Sequence, residues 1–448
     1  MLSIIRRTAV ALGISSLLLI ISNTAFSETH VEGSKAMKEL IPKLEKLYLH
    51  FHQYPELSFH ENKTSQIISQ QLKTLGFDVT DHYGGYGVVG LYKNGKGPTV
   101  MIRTDMDALP VTEETGLSYA SKVTSKNSQG ETIGVMHACG HDLHMTSFIG
   151  TATMLMNKKD QWHGTLIMIA QPAEEYGAGA KAMLDAGLYK DFPVPDHIIG
   201  LHDHAGLPAG KVAIAPNYIM ANVDSVDITV KGISGHGAYP NKTIDPIVIA
   251  SRIVLALQTI VSREISPLDP SLITVGVING GTKRNIIGNK VLLQLTVRSY
   301  NPKVRKKLLS SIKRTAKYIA KSAGVNDKLL PDVKVYKDES GDAVFNDPKQ
   351  TAKVKSFITA AIGKDNVVHA EQSMVGEDVS QYALTKEKIP LTFFWLGAVN
   401  PKTYAESIKN GTELPTLHSS KFAPDYPLAI KTGVKAMTAS AIGLFNDH

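Results

Sequence analysis

The chain has one cysteine, Cys139, in 448 residues. No internal disulfide can form, so that thiol is an inert buried side chain, a reactive nucleophile or a metal ligand. Internal repeats and low-complexity tracts are also missing, which excludes solenoid arrays and compositionally driven disorder. Beyond the first two dozen residues no run reads as long and apolar enough to span a bilayer, so a mature chain without a stable membrane anchor is expected. The formal charge of +7 comes without the aromatic interleaving of a nucleic-acid surface, its densest basic stretch holding Tyr318 alone, and with no recognisable nucleic-acid motif. Its densest part, "KVRKKLLSSIKRTAKYIAK" (303–321), sets Leu308, Ile312 and Ile319 on one helical face and the cations on the other. That is a solvated outer helix face, and nucleic acid is set aside as a partner.

What is present is the composition of an ordinary globular protein, 43% hydrophobic and 20% charged, long enough for two domains. The N-terminus differs. Arg6 and Arg7 precede the apolar "TAVALGISSLLLIIS", and Ala25 and Ser27 suit the positions before a cleavage point. Residues 1–27 read as a secretory signal too short to span a membrane, which implies a periplasmic or secreted protein. The arginine pair also admits a twin-arginine route, although the residues after it fit that signal poorly. Export to an oxidising compartment makes one unpaired cysteine harder to explain.

Residues 28–219 predict helices broken around Tyr54-Pro55, then β-rich runs ("GVVGLY", "TVMIRTD", "GTLIMIAQ", "DHIIGLHD") alternating with helical patterns. This is an α/β domain with a largely parallel sheet. Asp105 and Asp107, Glu174 and Glu175, and His202 each follow an apolar strand, where open α/β sheets gather their sites. From 220 to 340 the order changes to βαββαβ, a compact α+β insert. Residues 341–448 return to the first domain through a helix near "DPKQTAKVKSFITAAIG" and the strand "IPLTFFWLGA".

Cys139, His141, Glu175, His202 and the distant His418 are candidate metal ligands. Thiolate, imidazole and carboxylate together suit zinc, manganese, cobalt or nickel rather than calcium or magnesium. Cys139 and His141 lie two apart in a glycine-containing loop that lets both turn to one point, and a metal would keep the lone thiol ionised. Of the two glutamates in "PAEE", one can ligate while the other moves a proton. His137, His144 and His204 read as supporting residues rather than ligands.

The segments "FHQYPELSFHE", "IRTDMDALPV", "MHACGHDLH", "PAEEYGAGAK", "GLHDHAGLPAG", "GHGAYP" and "HSSKF" occur in one order over essentially the whole mature chain. In this the sequence resembles the metal-dependent amidohydrolases related to exopeptidases, in the branch of hippurate hydrolases, N-acyl-amino-acid amidohydrolases and auxin-conjugate hydrolases. The resemblance implies a mixed-sheet catalytic domain with the βαββαβ insert as a lid or dimerisation domain. It implies two divalent ions on Cys139, His141, Glu175, His202 and His418, with Cys139 bridging and Glu174 as general base. It gives Asp107 a ligand-orienting role. His236 would reach the active site of the other subunit of a homodimer and steady the oxyanion, and Asn285 and Arg298 would hold the substrate carboxylate. Arg298 reads equally well as an outward strand arginine in a salt bridge. Tyr176 in place of glycine, Asn241 in place of histidine, a missing proline in "NIIGNK" and the pair Asp203-His204 depart from the family pattern. They touch substrate preference and leave the ligands and the base intact.

The expected reaction is hydrolysis of a small N-acyl amino acid to a carboxylic acid and an amino acid, by water that a metal activates and Glu174 deprotonates. Dipeptidase or carboxypeptidase action at the same site is the alternative. Two rivals come from other classes: thiol catalysis by Cys139 with a histidine base, which leaves Glu175, His202 and His418 unused, and a non-catalytic binding protein, against which Glu174 stands.

Overall fold

A computed structural model describes residues 35–127 and 129–447, so the expected signal sequence, 1–27, lies outside the described residues. Its main feature is an eight-stranded sheet. The strand order is Asp78–Tyr83, Gly87–Asn94, Gly164–Gln171, Thr99–Asp105, His197–Pro208, Leu391–Val399, Val212–Ile214, Val367–His369. Pairing from Gly164–Gln171 through Leu391–Val399 is parallel. The first two pairings on one flank, and that of Leu391–Val399 with Val212–Ile214, are antiparallel. The sheet is therefore mixed, and the parallel pairing predicted from alternating strands and helices holds at its centre. There the crossover between Thr99–Asp105 and Gly164–Gln171 carries the helix His141–Asn157.

The central strands are apolar at successive positions because both faces are covered. Ile102, Met168, Ile199 and Phe394 pack into one core with the helices Lys35–Gln53, His141–Asn157, Pro348–Ile362 and Tyr426–Phe445. Their alternates Met101, Ile167, Ile198 and Phe393 enter a second core with Met183, Leu188 and Tyr382. Against the expectation of none, two described helices are long and apolar enough to cross a membrane. One of them, Tyr426–Phe445, is the mostly buried helix of the first core. The other covers Pro246–Glu264 in the insert.

The insert is an antiparallel four-stranded sheet in the order Ser271–Gly280, Lys290–Ser299, Asn222–Lys231, Asp332–Gly341. Asn222–Lys231 alternates strictly between buried and half-buried residues, as a sheet covered on one face requires. The helices Pro246–Thr259 and Pro302–Ser322 supply the cover and a core of their own, with Ile253, Leu257, Leu308 and Ile312 against Ile228 and Leu293. Each helix starts at a proline whose preceding Asp245 or Asn301 side chain accepts a first-turn N–H. The cations of Pro302–Ser322 lie away from that core, as the periodicity predicts.

Candidate metal centre

Four chain segments meet beyond the central strands. The first is the turn into His141–Asn157. Gly140 caps this helix at φ +73°, and a Cβ there would stand 2.5 Å from Asp203 Oδ2, so glycine is needed for both conformation and space. His141 is the first residue of the helix rather than part of a loop, which points its ring from a rigid element. The second is the loop after Gly164–Gln171, carrying Glu174 and Glu175. The third is His202. It does not end its strand, because His197–Pro208 runs on beside Leu391–Val399 past the point where Thr99–Asp105 stops. His418 arrives from far downstream at φ +65°, its N–H donating to the Ala138 carbonyl at 2.8 Å.

These segments bring the five predicted ligands together. Cys139 Sγ lies 3.5 Å from His202 Nε2 and 3.2 Å from His418 Nε2. Glu175 Oε2 is 3.5 Å from His418 Nε2, and its Oε1 is 3.8 Å from His141 Nε2. The ligand atoms of Cys139, His141 and His202 lie within 4.8 Å of one another, and so do those of Cys139, Glu175 and His418. Two metal-sized triads thus share one sulfur. His141 Nε2 and Glu175 Oε1 are buried without a hydrogen-bond partner among the described residues, and buried polar atoms left this way mark a place for an ion. The donor set and its orphaned atoms fit divalent metal ions of borderline softness.

Electrostatics point the same way. Burial, then Glu175 and Asp203, hold the Cys139 thiol well above its ordinary pKa, so the chain alone opposes a thiolate. Burial and the neighbouring carboxylates Glu377 and Glu175 push Glu174 well above the usual carboxylate range. Glu175 is raised to about 7, by burial first. His141 runs the other way: burial would lower it, but Asp105 and Asp107 raise it well above 6.5. A site so rich in acid needs positive charge to ionise fully.

Around the donors sits a shell of buried hydrogen bonds. Asp107 accepts Ser58 Oγ at 2.6 Å and the backbone N–H groups of Glu174 at 3.1 Å and Glu175 at 3.0 Å, with His141 Nδ1 at 3.4 Å. His202 Nδ1 donates to the Asp203 carbonyl at 2.8 Å, which leaves Nε2 facing the sulfur. His144 links Asp105 at 2.7 Å to Asp203 at 3.1 Å, the supporting place predicted for it. His137 is buried with neither ring nitrogen bonded, and His204 packs edge-on to Trp395.

The lid residues gather elsewhere. His236 accepts the Ala238 N–H on Nδ1 at 3.0 Å, leaving Nε2 exposed, and the Gly237 N–H donates to the Asn285 carbonyl at 2.9 Å. Arg298 is half-buried and donates to Thr296 Oγ1 and to the Met374 carbonyl, with no acidic partner among the described residues. It is therefore not the salt-bridged strand arginine among the described residues. Sequence reasoning missed Arg103 altogether. Fully buried below the site, Arg103 bonds Asp105 at 2.7 Å, Glu377 at 2.8 Å and Asp378 at 3.0 Å. A charged residue inside the apolar run "TVMIRTD" and the acidic pair in "VGEDVS" were the available signals.

The model of peptidase family M20/M25/M40 matches residues 101–417. Thermostable carboxypeptidase 1 of Saccharolobus solfataricus is 37% identical over 399 residues, 88% of this chain and 93% of that protein. N-acetylcysteine deacetylase of Bacillus subtilis is 36% identical over 353 residues, 77% of this chain and 86% of that protein. Among solved structures, the Bacillus subtilis YXEP protein, a dinuclear metal-binding peptidase of the M20 family, superposes with a TM-score of 0.72. It is 30% identical and covers 90% of this chain and 99% of its own.

Proposed function

The chain belongs to peptidase family M20/M25/M40 and is a metal-dependent hydrolase of amide bonds, and from that premise we propose that its substrates are N-acyl amino acids and that its residues do the work as follows. Two donor triads meeting at Cys139, with Glu174 beside them and outside both, is the observation that carries the reading. Cys139, His141 and His202 would hold one divalent ion, and Cys139, Glu175 and His418 the other, with zinc or manganese ahead of cobalt or nickel. Such ions supply carbonyl polarisation and acidify water.

Glu174 takes a proton from the attacking water on a carboxylate oxygen and delivers it to the amide nitrogen as the C–N bond breaks. The water oxygen stays with the carboxylic acid, and the free amino acid leaves with the proton. Asp107 sets the backbone of both glutamates and the ring of His141, so it positions the base. The Nε2 of His236 is a free donor suited to the oxyanion, and Asn285 travels with it on the same lid loops. Arg298, with no acidic partner among the described residues, keeps its charge available for the substrate carboxylate.

The lid also supports a homodimer. Ser271–Gly280 is an unpaired sheet edge with Val277 and Ile278 exposed, and Val248 and Leu255 are exposed on the helix Pro246–Thr259. Residues 1–27 carry the proposal of a periplasmic or secreted protein, which the N-terminal sequence and mass of the expressed mature form test.

The thiol rival gains one observation, the 3.2 Å contact of Cys139 with His418. A nucleophilic thiol needs a lowered pKa, however, and burial among acids raises this one. Glu174→Gln should lose about 10²–10⁴-fold in kcat with metal content unchanged. Chelation should abolish activity, and added zinc or manganese should restore it. Full turnover by Glu174→Gln would refute the base; activity that survives chelation and dies on alkylation would favour the thiol. The same assay with dipeptides beside N-acyl amino acids decides between amidohydrolase and exopeptidase action.

A further inference from the structure

Two large aromatic rings stand exposed beside the site. Phe59 is 42% and Tyr176 64% exposed, and their rings lie nearly parallel, 13° apart in plane with centroids 6.2 Å apart. Each follows a residue tied to Asp107: Ser58 donates to its carboxylate through Oγ, and Glu175 through its backbone N–H. A second buried carboxylate repeats the stitch. Glu61 Oε1 accepts the Phe59 N–H at 3.0 Å and the Ala173 N–H at 2.8 Å. Phe59 and Ala173 both adopt the left-handed backbone region, at φ +62° and +50°. That conformation is costly for a bulky residue, and it persists here because Glu61 and Asp107 hold both loops. The loop 56–61 and the loop 172–177 therefore form one rigid block, with the donors on its inner side and two rings at its rim.

Water-exposed rings held this way leave apolar surface uncovered next to the reacting groups. We propose that Phe59 and Tyr176 form a specificity-determining wall for a flat aromatic group carried by the substrate. The rings already meet as an offset pair, so the incoming group packs on their outer faces and edges. This rests on the amide-hydrolase reading. The aromatic group belongs either to the acyl part or to the amino-acid side chain, and both present the same surface to the wall.

The test compares N-benzoylglycine, N-acetylphenylalanine and N-acetylglycine as substrates of the metal-loaded protein, Tyr176→Ser and Phe59→Asn. Asparagine is chosen because it tolerates the left-handed backbone. The wild type should favour an aromatic substrate over N-acetylglycine, and either variant should lower that kcat/KM ratio about tenfold, through KM. Loss confined to N-benzoylglycine puts the ring on the acyl side; loss confined to N-acetylphenylalanine puts it on the amino-acid side. Ratios unchanged in both variants overturn the wall. Calorimetry on Glu174→Gln reads the wall without turnover. Benzoate or phenylalanine should bind more tightly than acetate or glycine, and Tyr176→Ser should erase the difference. Should the wild type turn over no acyl amino acid while this binding difference stands, the hydrolase reading fails and the wall survives. Equal binding sinks the wall whatever the enzyme turns over.

Discussion

Asp107 shows how much one side chain can set. Its two oxygens face four donors: a serine hydroxyl, two backbone N–H groups and a histidine ring nitrogen. Burial alone would raise its pKa, yet hydrogen bonds from His141 and Ser58 and the charge of His141 bring it below the usual carboxylate value. Asp107→Asn keeps the shape and replaces one acceptor with an NH₂ donor. Whichever way the amide turns, a donor then faces a donor inside a buried site. Metal affinity or kcat/KM should fall about 10–100-fold, with little change in global fold. Metal titration beside kinetics checks this, and wild-type values for both would show the carboxylate to be dispensable. Asp107 was legible because it sits two residues from Asp105 at the end of an apolar strand. Glu61 and the Glu377–Asp378 pair were not assigned, because their distant partners Ala173 and Arg103 are fixed by tertiary approach, and an acidic pair or a lone charge in the sequence does not say what it meets.

His52 acts at the scale of elements. It lies near the end of the helix Lys35–Gln53, donates toward Asp142 in the first turn of His141–Asn157 at 2.7 Å, and meets Glu113 at 3.2 Å. Glu113 in turn accepts the Ser121 N–H, so one imidazole ties two helices to the 112–122 loop. Burial would lower its pKa, but the hydrogen bonds to Asp142 and Glu113 override it and raise it to about 9. An unfolded histidine releases its proton near 6.5. The stabilisation is therefore complete below pH ~6.5 and is lost as pH rises through about 9, on the order of 3 kcal/mol in all. Urea unfolding of the chelated protein from pH 6 to 10 should show stability falling across that window, and His52→Gln should flatten this part of the profile. Parallel slopes for the two proteins would rule out His52 as the source. The helices themselves were legible as helical patterns. This tie was not, since His52, Glu113 and Asp142 are each ordinary surface residues by composition. The extent of His197–Pro208 was also hidden, because its polar second half reads as loop until Leu391–Val399 is placed beside it.

At the scale of the whole molecule the question is where His236 works. Among the described residues its contacts lie inside the lid, among them the Ala238 N–H, the Tyr239 ring and N–H, and the pairing with Ile286. The lid meanwhile offers an open strand edge and exposed apolar side chains outside its own core. A two-fold dimer through that surface would cover both features, and would let each lid serve the other subunit. The βαββαβ order was legible in sequence as a change of hydrophobic period near residue 220. Which chain its histidine serves was not, because one sequence describes both subunits. Mixing two variants separates the cases. Glu174→Gln lacks the base, His236→Ala lacks the lid histidine, and each alone should be nearly inactive. In a mixed dimer one site inherits both lesions and the other inherits neither. Refolding the two together in equal amounts makes half the dimers mixed, so activity should return to about a quarter of wild type if the histidine acts across the dimer. If His236 serves its own chain, every site keeps one lesion and mixing restores nothing. Sedimentation of the same samples, with Leu255→Glu expected to give monomers, shows whether the recovered activity travels with the dimer.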